Sequence, residues 1–344
     1  MSLNTHCNPK VFIKDKEVGF ESFSVTYPGN NQINSCNIKI IHSVSDWSRF
    51  FNEEIKVYLN EGDGIPIFRG YAKQVVPSDN NISITAYDPR YLLTGSDGIS
   101  IHISDEDNFD GYTVSQFLIE YLDKYVNTNK TYLATDFISD TTISTNMSGI
   151  RGFQEDIYAM LSGTFSQRID DTDVDYLVGY NIGVIDDGVN SQLVIEKEKT
   201  LDSTPSLVLS ERDGISDLKY TRRMPPSYGT AYTKDGLAGN YQHGNMPYGR
   251  INDTMTESFE TTAEATYASM INILKQQDDK QEITADITRG FDINVGSIVR
   301  LNVEDFDVRG NHRVTNKNIS FSKNNMTCTI GLNKKPTTVR KYTN

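Results

Sequence analysis

Apolar and polar residues alternate in short runs over the first ninety positions, the period of half-buried β-strands. The runs are Val11 to Ile13, Phe23 to Tyr27, Cys36 to Ile41, Ile55 to Leu59, Ile65 to Tyr71 and Ile82 to Ala86. Asn60-Glu-Gly-Asp-Gly64 is rich in turn formers and folds the fourth run back onto the fifth. After the sixth run, Asp88 stands before Pro89. That pair predicts an N-cap and a first helical position for a short helix carrying Arg90 to Leu93 and stopping near Gly95.

A loop rich in Gly, Ser and Asp, from Thr94 to Gly111, ends this β-region, and the period then changes. Thr113-Val-Ser-Gln116 has capping-box form. Val114, Phe117, Leu118, Tyr121, Leu122 and Tyr125 follow at helical spacing and predict one apolar face. A second helix is expected over Gly152 to Leu161, with Phe153, Ile157, Met160 and Leu161 inward and Gly163 as its stop. The run Tyr176 to Ile185, the turn Asp186-Asp-Gly188 and the run Gln192 to Glu196 predict a hairpin.

Strands return at Ile215 to Thr221, Glu282 to Ile287, Ile293 to Val303, His312 to Phe321 and Met326 to Leu332, with Met224 to Arg250 as a loop rich in Gly, Tyr and Pro. One helix interrupts them, opened by Thr261-Thr-Ala-Glu264 and carrying Tyr267, Met270, Ile271 and Leu274 on one side. The fold class is therefore α+β, mainly β. The expected domains are an N-terminal β domain at 1–94, a smaller α+β insert at 95–209, a C-terminal β domain at 210–333 and a polar tail at 334–344 holding Lys334, Lys335, Arg340 and Lys341.

The chain has 344 residues, room for two or three domains. Its 33 basic and 46 acidic residues give a net charge of −13, which argues against a general nucleic-acid binder. The apolar share of 37% is low for a globular chain and points to polar surface, loops or interfaces filled on assembly. No stretch approaches the ~20 apolar residues of a membrane helix, and the first residues lack the apolar core of a signal peptide, so a cytoplasmic product without membrane insertion is expected. Cys7, Cys36 and Cys328 are odd in number and form no Cys-x-x-Cys pair, which predicts idle or buried thiols.

Catalytic patterns are sparse. Asp171-Thr-Asp-Val-Asp175 begins like a calcium loop, but Tyr176 stands where the sharp turn needs Gly and Ile182 where a bidentate Glu belongs. Asp105-Glu-Asp-Asn-Phe-Asp110 fails similarly at Phe109. His6, His42, His102, His243 and His312 are scattered singly, without the spacing of a zinc site. Phosphate-cradling glycine loops are missing, and so is a Gly-x-Ser-x-Gly elbow, since Ser162-Gly163 lacks the required setting. Acid pairs such as Glu53-Glu54, Asp186-Asp187 and Asp278-Asp279 suit either solvated charge or a glycosidase, and Tyr228, Tyr232, Tyr241 and Tyr248 suit protein contact, sugar stacking or local packing.

Read as phrases, the two ends resemble a known family. Val57-Tyr-Leu-Asn60, a polar turn, Ile67-Phe68-Arg69-Gly70, then Ile82-Ser-Ile-Thr-Ala-Tyr-Asp88 before a short helix look like the N-terminal barrel of phage baseplate hub proteins. Ile293-Asn-Val-Gly-Ser-Ile-Val-Arg-Leu301, Arg309-Gly-Asn-His-Arg-Val314 and the strands Ile319 to Leu332 resemble the family's closing elements, with His312 where Tyr is frequent and Asn294-Val295 where a Pro is common. The family is that of the late control gene D protein, the hub of contractile phage tails, prophage tail proteins and related injection machines. The resemblance covers Val11 to Leu93 and Ser210 to Leu332, while Gly95 to Pro205 carries no such phrase.

The resemblance implies two tail-tube-like β-barrel domains, each with a helix, flanking the insert. It implies a homotrimeric, non-enzymatic protein of the virion tail baseplate, assembled in the host cytoplasm. Its partners would be the tail tube protein, the central spike protein and wedge proteins, with a tape-measure protein as a further candidate and DNA only in transit. Three chains with two barrels each meet a six-fold tube above and a three-fold spike below. No catalytic, cofactor-binding or metal-binding residue is expected, and the interface residues stay unassigned. A tail-associated carbohydrate-active or cell-wall-degrading enzyme and a sugar-binding β-protein remain as alternatives.

Overall fold

The computed structural model describes residues 7–29, 32–41, 44–60, 64–78, 80–93, 111–139, 166–169, 172–175, 180–212, 214–222, 227–243, 252–277, 281–304 and 308–333. They form a mainly-β α+β fold in two compact units, one of Met1–Asp217 with Ala285–Asn344 and one of Leu218–Thr284. The second expected insert helix, the polar tail, and His6, His42, His102, Tyr248, Ser162 and the Asp105–Asp110 and Asp278–Asp279 acids lie outside the described residues.

The chain opens with β1 (Lys10–Ile13), β2 (Lys16–Glu17), β3 (Phe20–Tyr27), β4 (Ser35–Ile40), β5 (Glu54–Tyr58), β6 (Phe68–Ser78) and β7 (Asn81–Tyr87). Five of these coincide with expected runs. The expected Ile65–Tyr71 strand instead starts at Phe68 and continues to Ser78, because Ile65 stands 57% exposed before Pro66 and the long β6–β7 hairpin carries the pairing onward to Ser78 and Asn81. Lys14 and Asp15 connect β1 to β2 with φ of 50° and 57°, the left-handed pair a two-residue hairpin turn needs.

The next elements are α1 (Val114–Tyr121), β8 (Ala134–Ile138), β9 (Ser166–Ile169), β10 (Thr172–Asp175), β11 (Tyr180–Asp186) and β12 (Ser191–Lys197). The capping box of α1 forms as read: Gln116 N donates to Thr113 Oγ1 at 3.2 Å and Thr113 N donates to Gln116 Oε1 at 2.9 Å. Val114, Phe117, Leu118, Tyr121 and Leu122 are buried against Leu193 and Ile195 of the hairpin, and Tyr125 is half-buried beside them. The hairpin pairs antiparallel, and β8 joins β12 in parallel.

The remaining elements are β13 (Leu207–Ser210), β14 (Ile215–Arg222), β15 (Tyr228–Thr233), β16 (Ala238–Gln242), β17 (Asn252–Phe259), α2 (Thr262–Gln277), β18 (Gln281–Ile287), β19 (Ile298–Val303), β20 (Val308–Ser322) and β21 (Asn325–Asn333). The main sheet runs β14-β18-β21-β20-β3-β4-β7-β6-β5-β1-β2, with β19 also on β20 and β13 on β19. Strands from the two ends of the chain thus join in one sheet at the β3–β20 seam, where Val25 faces Ile319 and Phe23 stacks on Phe321 at 5.8 Å. One row crosses six strands through Cys328, Ile319, Val25, Cys36, Ala86 and Ala72. Every residue in it is 0% exposed, and each burial of a large apolar side chain contributes roughly 1.5–3 kcal/mol.

In the second unit β15 lies between β16 and β17, and α2 packs on this sheet. The expected Met224–Arg250 loop instead contains β15 and β16, since Tyr228-Gly-Thr-Ala-Tyr-Thr233 alternates and its glycine serves packing. The side of α2 that carries Tyr267, Met270, Ile271 and Leu274 is not the side that packs on the sheet. Ala265, Ser269 and Ile273 face the sheet, while Tyr267 is 51% and Leu274 37% exposed. A Cβ on Gly239 would lie 2.4 Å from Thr266 N, and one on Gly229 2.7 Å from Ile273 Cγ1, so small residues on both elements let helix and sheet close together.

Candidate functional site

In the first unit a cleft of about 210 Å³ lies where three stretches of chain meet. The N-terminal strands bring Tyr27, Arg69 and Asp88, the β11–β12 hairpin brings Asp186 and Ser191, and the C-terminal region brings Lys317. Each was placed by a local pattern: Asp88 by the strand end before Pro89, Arg69 by β6, Asp186 by the hairpin turn and Lys317 by β20.

Asp88 acts as the expected cap. Its carboxylate accepts from Asn34 N at 2.7 Å and Arg90 N at 2.9 Å, and from Arg90 Nη2 at 2.8 Å. The helix it opens is a single 3-10 turn, Pro89–Leu93, with all five residues buried. Arg90 also donates to Gln32 O at 2.7 Å, so the buried charge pair ties this turn to the loop after β3.

Arg69 reaches the turn between β11 and β12. Its Nη2 donates to Asp186 Oδ1 and to Gly188 O, both at 3.2 Å, and its Nη1 donates to Val189 O at 2.5 Å. The turn it holds is internally fixed: Gly188 has φ of +94°, and Asp187 Oδ1 accepts from Val189 N at 2.7 Å and Asn190 N at 2.6 Å. Burial pushes Asp186 up to about 6 against the lowering effects of the Gly188 N–H and Arg69. Backbone donors hold Asp187 below its ordinary value.

Lys317 is 4% exposed and donates to Phe291 O at 3.1 Å and Ile293 O at 2.8 Å, with Nζ 4.2 Å from the centroid of the Tyr27 ring. Burial brings its ammonium down to about 8, and Tyr27, whose hydroxyl donates to Ile67 O, is pushed up by the same cause. These groups fasten chain segments to one another. Among the described residues no histidine lines the cleft and no three acid, His or Cys side chains gather as a metal site.

The other residues singled out in the sequence are dispersed. His312 is buried on β20, with Nδ1 3.1 Å from Gly310 O, and His243 follows β16 with its ring 6.5 Å from that of Tyr241. Cys36 and Cys328 sit in the central row, where burial pushes both thiols up, Cys328 to about 12, and Cys7 is half-buried. Glu53 pairs with Lys14 at 3.0 Å, and Glu54 with Lys56 at 3.1 Å and Lys130 at 3.4 Å. Asp173 to Asp175 belong to β10, and Tyr228, Tyr232 and Tyr241 lie on strands. Sequence reading missed Lys317 and Arg69 as buried cations, because a charged residue in a strand carries no sign of its burial.

No family model and no curated protein matches the chain. Solved structures do. A tail protein from Neisseria meningitidis MC58 superposes with a TM-score of 0.59 over 94% of this chain and 95% of its own, at 13% identity. The 43 kDa tail protein of prophage MuSo2 from Shewanella oneidensis superposes at 0.61 over 97% and 100%, at 11% identity. The chain has the fold of phage tail proteins. A type VI secretion system component of E. coli, itself described as structurally similar to T4 bacteriophage tail proteins, shares this tail-protein fold at 0.51 over 95% and 77%, with 10% identity. The cleft is where β3, β6, the β11–β12 hairpin and β20 come together.

Proposed function

We propose that the chain is a structural, non-enzymatic baseplate hub of a contractile tail or related injection device. The observation that carries this reading is the likeness to tail proteins over 94% and 97% of the chain and nearly all of theirs. The charged groups of the cleft support it, because they fasten chain segments to one another. In this reading 1–94 and 210–333 are tube-like barrels, 95–209 is an insert and 334–344 a peripheral tail. Three chains present six barrels to the tail tube protein and three-fold symmetry to the central spike, with wedge proteins around them and DNA or effectors passing through an acidic channel. The net charge of −13 favours such passage without sticking.

Light scattering on the chain, alone and mixed with tube and spike proteins, tests the proposal. A mass of three times the 38.7 kDa chain supports it. A chain that stays monomeric in both cases overturns the trimer, and turnover of purified cell wall overturns the non-enzymatic reading.

A further inference from the structure

The cleft uses only part of its polar wall. Arg69, Asp88, Asp186 and Lys317 are bonded to other groups of the chain. Asn34, 8% exposed on the same wall, is not so fully used. Its N–H donates to Asp88 Oδ2 at 2.7 Å and its carbonyl accepts from Asp88 N at 3.0 Å, but its carboxamide makes no hydrogen bond among the described residues. Ser191, a further wall residue at 2% exposure, has a hydroxyl without a hydrogen bond. A second lobe of about 80 Å³ adjoins the cleft and shares Asn34 and Asn294 with it. Glu196, half-buried, lines that lobe, and Asp292, exposed, lines the first. Among the described residues neither carboxylate has a hydrogen bond or ion pair, and Asn294 bonds only through its backbone carbonyl, to Ser297 N. Buried amides and hydroxyls without partners cost free energy and are rare in folded chains, so this wall is built for something other than the chain itself.

We propose that the cleft binds one neutral pyranose ring, as a free sugar or as the end residue of a glycan. This goes beyond the hub reading and does not depend on it. The unpartnered groups include donors, the carboxamide N–H groups of Asn34 and Asn294, and acceptors, their oxygens and the carboxylates of Asp292 and Glu196. Hydroxyls, which donate and accept at once, answer both kinds. Facing them are Ile65, Ile67, Phe68 and Val184, an apolar side for the C–H face of a ring. Charges of both signs line the walls, Arg69 and Lys317 against Asp292 and Glu196, so neither an anion nor a cation is favoured over a neutral molecule. Size sets the limit at one ring: the 210 Å³ of the cleft exceeds the ~150 Å³ that accepts benzene and falls short of the ~300 Å³ at which sites for larger ligands begin.

Saturation-transfer NMR on the full chain with D-glucose, D-galactose, D-mannose and N-acetyl-D-glucosamine tests the site. At least one sugar should give a saturable signal with a Kd on the order of 1 mM, as expected of a ligand with few atoms. Asn34→Ala keeps the backbone bonds to Asp88 and should weaken binding about tenfold. Asn294→Ala, at an exposed position that folding tolerates, should weaken it about fivefold, the worth of one hydrogen bond. Tyr232→Ala, on the second unit and 43% exposed, should leave it unchanged. Methyl glycosides of the sugar that binds separate the two sources, since a glycan end is held only if its glycoside binds as well as the free sugar. Silence from all four sugars at about 20 mM means that the cleft holds water only and overturns the proposal. So does binding that survives both asparagine variants, or that Tyr232→Ala removes.

Discussion

Lys317 shows how a single buried charge can be read through pH. Two carbonyls and the Tyr27 ring satisfy its ammonium, yet burial lowers it to about 8 from 10.5. A base whose folded value is depressed adds stability above its unfolded value and loses it as pH falls through the folded one. The Tyr27, Cys36 and Cys328 groups are raised and act in the opposite sense, so the contribution of Lys317 must be read as a difference. Relative to Lys317→Met, which is neutral throughout, the native chain should gain about 2 kcal/mol between pH 7.5 and 10. Urea unfolding of both chains at the two pH values measures this. An unchanged difference would mean that the ammonium is not desolvated.

At the scale of the element, docking of α2 on its sheet depends on what is missing from β16. The Cβ of an alanine at Gly239 would sit 2.4 Å from Thr266 N and 2.6 Å from the Ala265 carbonyl carbon, both backbone atoms that move only with the helix. Gly239→Ala should therefore destabilise the second unit by about 1–3 kcal/mol. Gly183→Ala, with nothing within 4 Å of the new methyl, should be near neutral in the same thermal melts. Equal effects would show that crowding at α2 is not the cause. The contrast also marks what a sequence discloses. The capping boxes at Thr113 and Thr261, the Asp88 cap and the Asp186–Gly188 turn were legible, because each rests on hydrogen bonds between near neighbours. The inward stripe Ala265, Ser269, Ile273 was not, because small residues face the sheet while larger Tyr267 and Leu274 face water, reversing the usual apolar rule. Arg69 and Lys317 were illegible for a related reason: their burial is decided by segments more than twenty residues away.

For the whole molecule the consequential feature is the seam between β3 and β20, which makes strands from the two ends of the chain neighbours in one sheet. Val25 and Ile319 face each other there at 0% exposure, inside a row that continues to Cys36, Ala86 and Ala72 on one side and Cys328 on the other. A cavity at Ile319 then removes contacts from strands at both ends of the chain, although the substituted residue belongs to the last hairpin. Ile319→Ala should cost about 2–5 kcal/mol, with the loss shared because the row packs as a unit. Hydrogen exchange resolves where the loss falls. Amides of β3 and β4 should lose protection together with those of β20 and β21, in similar proportion, as expected of one cooperative body. If β20 and β21 weaken while β3 and β4 keep their native protection, the two ends fold as separate bodies that merely abut.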